Sequence, residues 1–323
     1  MDRQHGCLDI YSSLTVESTS SFVRMESPLT PAEVARISRR ALGILDGSGC
    51  DNRVLGVVIL PGSFNPPHVA HRACLEAARV ELERRGIAVI AGIYQPSSDK
   101  YLQTKCGKDS AMLLSDRLQA CELAGNDAPD PDWFGVWRTG EINGSKATAH
   151  CQAWLGDRIR ELEKGSSRSA LPAFELTCFQ VCGADTVDRC GGIERSVSPP
   201  RIVVSRPGTR LAGTPGAGWI LTNTEVSELS STRIRAALKL GQTAELDAWL
   251  GPSVCTFCQK LSSAGALYGG AQSTSLSTRQ GRPGQRGGDT MCSIANGCVY
   301  FYSHTKGEYA AFSQFFKSAV KMP

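Results

Sequence analysis

Two histidines three residues apart, His68 and His71, close the stretch Gly62-Ser63-Phe64-Asn65-Pro66-Pro67-His68-Val69-Ala70-His71. If a helix has begun by His68, both imidazoles share one face and point into the same space. The free N–H groups and positive dipole end of such a helix favour an anion such as a phosphate, to which the imidazoles can also donate. A second stretch, Leu229-Ser230-Ser231-Thr232-Arg233-Ile234-Arg235, has the same character. Ser230 and Ser231 suit a helix N-cap, and with Ser231 as the cap Arg235 lies one turn in and can reach back to the same phosphate. Gly183-Ala184-Asp185 adds a carboxylate able to accept hydrogen bonds from ribose hydroxyls. Alone, a His-x-x-His pair more often caps a helix or lies on a solvated face. Here its context, a strand, a Gly-Ser pair, a Pro-Pro pair and then a helix, points to phosphate chemistry.

The elements around these residues must bring them to one place. Val54 to Leu60 is a short apolar run rich in Val and Ile, the pattern of a strand buried on both faces of a parallel sheet. Gly62 permits a sharp turn and close backbone approach, and Pro66-Pro67 holds the loop extended before the helix. Ala70 to Arg85 reads as a helix stopped by Gly86, and Ile87 to Tyr94 as a second buried strand. A strand, helix, strand unit of this length implies a right-handed crossover and a parallel sheet. Ala173 to Cys182 is a third strand, and it delivers Gly183 and Asp185 at its carboxyl end, where ligands sit in open α/β sheets. Two more short strands cover 201–208 and 219–222. Helices are predicted over 31–42, with Thr30, Pro31 and Glu33 forming a capping box, over 109–123, 147–163 and 231–238, and over two closing segments, 243–250 and 253–261. The fold class is α/β: a Rossmann-like doubly wound parallel sheet with flanking helices.

The stretch 62–71 resembles the first signature of the nucleotidyltransferase superfamily with an H-x-G-H-type motif, and most closely that of the nicotinamide/nicotinate mononucleotide adenylyltransferases; Ala70 stands where the common pattern has Gly. The stretch 229–235 is similar to the family's Ile-Ser-Ser-Thr-x-x-Arg signature, in which hydroxyls, backbone amides and the Arg hold ATP phosphates. The resemblance runs over about residues 54 to 262. It implies direct in-line attack of a mononucleotide 5′-phosphate on the α-phosphate of ATP, giving NAD or its acid form and pyrophosphate, with Mg²⁺ held through the phosphates and no protein metal ligands. The implied catalytic residues are His71, His68, Arg235 and Lys105. Gly62, Ser63, Phe64, Asn65, Gly183, Asp185, Ser230, Ser231 and Thr232 would bind ATP or substrate. Arg206, in a strand ending similar to the family's Arg-Pro-Gly, would join them, and Trp137 would stack on the pyridine ring. ATP and a pyridine mononucleotide are the implied partners. The alternatives are another adenylyltransferase of this fold, such as one acting on phosphopantetheine, and a non-catalytic nucleotide-binding or chaperone-like protein.

At 323 residues and 41% hydrophobic content the chain can bury a large core. Its net charge of +4 lacks a dominant block and makes no case for nucleic acid. No segment approaches the roughly 20 uninterrupted apolar residues a membrane helix needs. The N-terminal stretch resembles neither a secretory signal nor a transit peptide. With 13 cysteines scattered through apolar runs rather than framing a small secreted domain, reduced thiols in a soluble cytoplasmic or nuclear protein are expected. The expected organisation is a disordered segment over 1–30, a leading helix within 31–53, the nucleotidyltransferase domain over 54–265, a Gly/Ser/Arg-rich linker over 266–290 and an aromatic-rich tail over 291–323. Oligomeric state is left open, with room for a homo-oligomer.

Overall fold

The computed structural model describes residues 27–46, 53–140, 143–164, 174–209, 211–242, 244–268, 290–295, 298–305 and 308–314. Six strands, β1 (Arg53–Gly62), β2 (Ala88–Pro96), β3 (Phe134–Val136), β4 (Phe174–Gly183), β5 (Arg201–Ser205) and β6 (Trp219–Glu225), form one sheet in the order β3-β2-β1-β4-β5-β6. Every neighbouring pair is parallel. That order is the doubly wound one, with its switch point between β1 and β4, so a crevice opens at the carboxyl ends of those two strands.

Nine helices among the described residues cover the sheet: α1 (Pro31–Asp46), α2 (Val69–Arg84), α3 (Asp99–Cys106), α4 (Leu114–Asn126), α5 (Gly144–Lys164), α6 (Ala184–Arg189), α7 (Ser231–Lys239), α8 (Leu246–Leu250) and α9 (Pro252–Ser263). Successive side chains of β4 face opposite ways and sort the helices into two layers. Phe179 and Val181 pack with Leu75 of α2, Ile234 of α7 and Val254 of α9. Leu176 and Cys178 pack with Leu45 of α1 and Leu155 of α5, and Cys182 packs with Val187 of α6. Gln180, lying between Phe179 and Val181, therefore faces the α5/α6 layer.

The expected strands and most expected helices are present, with four differences. Residues 1–26 lie outside the described residues, but Ser27 to Thr30 belong to the folded part: Leu29 is fully buried and the Arg138 N–H bonds to Pro28 O at 2.9 Å. The helix predicted over 109–123 begins only at Leu114, as α4, and a helix that was not predicted, α3, precedes it. Ser98 caps α3 by accepting from the Tyr101 N–H, and Gly107 at φ +82° stops it before α4 begins at Leu114. Within 243–250 the helix covers Leu246–Leu250 alone. The aromatic segment after 290 forms an antiparallel three-stranded sheet, β7 (Thr290–Ala295), β8 (Cys298–Thr305) and β9 (Glu308–Gln314). The linker expected over 266–290 falls mainly on 269–289, which lie outside the described residues. Among the described residues no helix is long and apolar enough to cross a membrane.

The capping box at α1 is formed as predicted, with the Thr30 N–H donating to Glu33 at 2.7 Å and the Glu33 N–H to Thr30 Oγ1 at 3.2 Å. Glu33 does more than cap. Its Oε1 accepts from the Val136 N–H on edge strand β3 at 2.9 Å, and its Oε2 pairs with Arg138 at 2.6 Å. Burial opposes ionisation of Glu33, but the bonds from Arg138 and Thr30 outweigh it and hold the carboxyl below its ordinary range. The helix is thus stapled to the sheet edge and closes it.

Candidate active site

A cavity of about 630 Å³ occupies the crevice above β1 and β4. Its floor begins where β1 ends. A side chain on Gly62 would put its Cβ 2.9 Å from Phe64 Cζ, so anything larger than glycine here presses on that ring. Phe64 is held at φ +47°, rare for a residue with a side chain, and its buried ring meets His71 and Tyr94 edge-on at 4.9 and 5.4 Å between centroids. Asn65 was expected to face the nucleotide, yet its side chain holds the protein together. Its Nδ2 donates to Ser110 O at 2.7 Å and its Oδ1 accepts from the Met112 N–H at 2.9 Å.

The two histidines stack at 3.6 Å between ring centroids. The His68 backbone N–H donates to His71 Nδ1 at 3.2 Å, which leaves Nε2 as the protonated nitrogen of the neutral His71 ring. Among the described residues His68 Nδ1 is buried with no partner. Burial, reinforced by the Arg206 charge, pushes the His68 imidazole down to about 4. Burial drives His71 well below its ordinary range too, with His68, Arg206 and Lys105 adding to the effect. Both rings are therefore neutral donors at neutral pH, and an anion arriving between them and the cations would favour their protonated forms.

The second expected cradle is the N-terminus of α7, and it is bonded directly to the first. Ser230 rather than Ser231 is the cap, accepting from the Arg233 N–H at 3.3 Å. Ser231 Oγ donates to Pro66 O at 3.0 Å, and Arg235 donates to Asn65 O and to Thr232 Oγ1, both at 3.0 Å. Two stretches more than 160 residues apart in the chain thus form one rim. Lys105, on exposed α3, reaches Ser63 Oγ at 3.4 Å across the mouth. Gly183, Asp185 and Arg206 line the same cavity, and a side chain at Gly183 would put its Cβ 2.9 Å from Asp185 Oδ1.

Of the predicted site residues, Trp137 alone does not line the cavity. Its ring is fully buried in the α1/α5 layer, edge-on to His150 at 5.3 Å and Trp154 at 5.9 Å. The chain leaves β3 under α5 there, and the indole fills the space beneath that helix, which makes Trp137 a core residue.

Sequence reasoning passed over Arg117, Arg201, Ser145 and Gln180. Arg117 is fully buried; it donates to Ser63 O at 3.0 Å, Met112 O at 3.2 Å and Asp99 Oδ1 at 2.9 Å. It braces the first loop from behind. The other three line the cavity on the α5/α6 side. Five cations face the cavity, Lys105, Arg189, Arg201, Arg206 and Arg235, against one carboxylate, Asp185, which Arg189 already pairs at 2.7 Å. Such a lining suits a ligand with several negative charges. Among the described residues no group of three or more His, Cys, Asp or Glu could hold a metal ion.

The family model for cytidylyltransferase-like proteins matches residues 59–237, more than half of the 323-residue chain and the span from β1 into α7. The chain belongs to the cytidylyltransferase-like family. Its similarity to a nicotinamide/nicotinic acid mononucleotide adenylyltransferase of Oryza sativa subsp. japonica is 34% identity over 83 residues, 26% of this chain and 31% of that protein. A probable nicotinate-nucleotide adenylyltransferase of Anaeromyxobacter dehalogenans is 30% identical over 195 residues, 58% of this chain and 85% of that one. The chain spans 31% of the length of the rice and Arabidopsis thaliana relatives it matches. A solved Plasmodium falciparum nicotinic acid mononucleotide adenylyltransferase, complexed with NaAD, aligns over 64% of this chain and 95% of its own at 13% identity and a TM-score of 0.41, too loose a likeness to bear on function. In this cytidylyltransferase-like chain both expected phosphate signatures fall at the sheet's switch point.

Proposed function

We propose that this protein transfers the adenylyl group of ATP to a pyridine mononucleotide, forming a dinucleotide and pyrophosphate. The observation that carries the reading is the junction of two helix N-termini, in which Ser231 and Arg235 of α7 bond to the carbonyls of Pro66 and Asn65 in the loop leading to α2. Two sets of free N–H groups and the cations Lys105, Arg206 and Arg235 converge there on one volume. The names of the relatives support the choice of a pyridine nucleotide as acceptor.

In this reading the α-phosphate of ATP lies between the His68/His71 face and the start of α7, and the 5′-phosphate of the mononucleotide attacks in line. The bond from the α-phosphorus to the bridging oxygen breaks, and pyrophosphate leaves with that oxygen. The chain supplies position and charge stabilisation. His68 and His71, which line the cavity, would donate hydrogen bonds to the phosphate, and Arg235 and Lys105 would neutralise charge that builds on its oxygens. Asp185, in the first turn of α6 just past β4, would accept from a ribose hydroxyl. Mg²⁺ would be held through the phosphates, as the family resemblance implies, and would neutralise part of their charge. The compartment that fits the reading is cytoplasm or nucleus, which agrees with free thiols at every cysteine whose side chain is described.

The test is pyrophosphate release by the purified chain with ATP and Mg²⁺, given nicotinate mononucleotide, nicotinamide mononucleotide or phosphopantetheine separately. Release with a pyridine mononucleotide is expected. Release with phosphopantetheine alone, or ATP binding with no release under any condition, would overturn the proposal.

A further inference from the structure

The cavity has a second end. Gln180 of β4 is the parallel partner of Arg201 on β5, and both face the α5/α6 layer, opposite the layer that carries α2 and α7. Arg201 Nη2 donates to Ser145 Oγ in the first turn of α5 at 3.1 Å, and Ser145 in turn donates to Gln180 Oε1 at 3.1 Å. The other terminal nitrogen contacts Cys190 Sγ, and the guanidinium lies over Trp219 at 5.5 Å from the ring centroid. Its Nε is buried with no hydrogen-bond partner, and among the described residues no carboxylate pairs with it. Arg189 has Asp185, and Arg235 has two oxygen acceptors; Arg201 is a half-buried cation braced by neutral groups.

We propose that Arg201, braced by Ser145 and Gln180, is a specificity-determining residue that reads the carboxylate of the pyridine ring, so that the acid mononucleotide is preferred to the amide. The inference rests on the adenylyl-transfer reading for what occupies the cavity. With its phosphate held at the α2/α7 cradles, a mononucleotide spans the crest between β1 and β4 and carries its base into the α5/α6 side. A planar guanidinium matches a carboxylate in charge and geometry. A carboxamide offers one acceptor and turns an NH₂ donor towards an array of donors, which leaves buried polar groups unpaired. The cavity's excess of cations works in the same direction, because the acid form carries one more negative charge.

The experiment is calorimetric binding of nicotinate and nicotinamide mononucleotide to the full chain, with Mg²⁺ and a non-hydrolysable ATP analogue present. The wild-type chain should bind the acid about 10- to 100-fold more tightly, the span of one charge-assisted contact. Arg201→Gln should remove most of that preference while changing affinity for the amide by less than about threefold, and Arg201→Lys should keep part of it. Ser145→Ala leaves the charge and removes the brace, so it should lower the preference several-fold and keeps the question answerable should Arg201→Gln not fold. Equal or tighter binding of the amide by the wild-type chain would overturn the proposal. So would equal weakening of both ligands by Arg201→Gln, which would put Arg201 on the shared phosphate. Tight binding of the acid with no pyrophosphate release would sustain this inference and defeat the adenylyl-transfer reading.

Discussion

Arg117→Met separates the bracing of the phosphate loop from the chemistry in front of it. Methionine has similar length and keeps the apolar stem, but it supplies none of the three hydrogen bonds to Ser63, Met112 and Asp99. Met112 is 1% exposed, so its carbonyl is stranded, at about 1–3 kcal/mol. Ser63 is only partly buried, so its carbonyl can turn to water. The Asp99 side chain is 38% exposed and rehydrates, so the roughly 3–5 kcal/mol expected for a broken, fully buried ion pair does not apply. Removing a desolvated guanidinium returns part of the cost. The net expectation is a stability loss of about 1–3 kcal/mol, a fall in Tm of several degrees for a domain of this size. Function should suffer more. A trans peptide points its carbonyl and the following N–H in opposite directions, so Arg117, by gripping Ser63 O from the interior, turns the Phe64 N–H outward from that grip. Releasing the peptide by about 1 Å should lower turnover roughly 100-fold. Thermal melts and steady-state pyrophosphate release on one preparation would decide. A folded variant with unchanged kcat/KM, or an activity loss no larger than the unfolded fraction, would refute the bracing role. Arg117→Lys, able to reach only part of the bond set, should recover part of the activity.

Three further outcomes are expected. His71→Ala should cut turnover far more than stability, by about 100-fold or more against a Tm change of a few degrees; parallel losses of both would count against a role in catalysis. The imidazole of His68 is pushed from 6.5 to about 4, so the unfolded chain binds the extra proton between those values and stability rises with pH across that window, by at most about 3 kcal/mol from this residue, with His71 adding in the same direction; equal denaturant midpoints at about pH 5 and pH 7 would contradict the buried neutral pair. Gly62→Ala brings a methyl to 2.9 Å from a buried ring that His71 and Tyr94 flank, so it should cost about 1–3 kcal/mol and displace Phe64 and His71 together; an unchanged Tm with full activity would show that the ring can yield.

The parts of the fold and site that were legible in the sequence are those encoded locally. A Val/Ile run followed by Gly-Ser, Pro-Pro and a helix fixes a strand, a loop and an N-terminus within 20 residues, and Ser-Ser-Thr before Arg235 does the same at α7. Trp137 was misread because its burial under α5 depends on where β3 leaves the sheet edge, which no local pattern records. Asn65 sits inside the signature yet bonds to Ser110 and Met112, so proximity to a motif did not distinguish facing a ligand from holding a loop. Arg117 lies in an ordinary helical stretch, and a fully buried guanidinium is rare enough that an exposed position was the natural assumption. Its one local signal was a possible partner, Asp99, 18 residues away. Arg201 gained meaning only when pairing with Gln180 placed it opposite the histidine layer.

The central claim, that the two joined helix N-termini hold ATP for direct transfer of its adenylyl group, is tested most directly by following the α-phosphate. ATP labelled at that phosphorus would be incubated with the chain, Mg²⁺ and nicotinate mononucleotide, and the products separated. The account predicts label in the dinucleotide, one pyrophosphate per dinucleotide, and loss of both in Arg235→Ala. Label recovered as AMP or ADP, with no dinucleotide formed, would make the protein a nucleotide hydrolase and contradict the account.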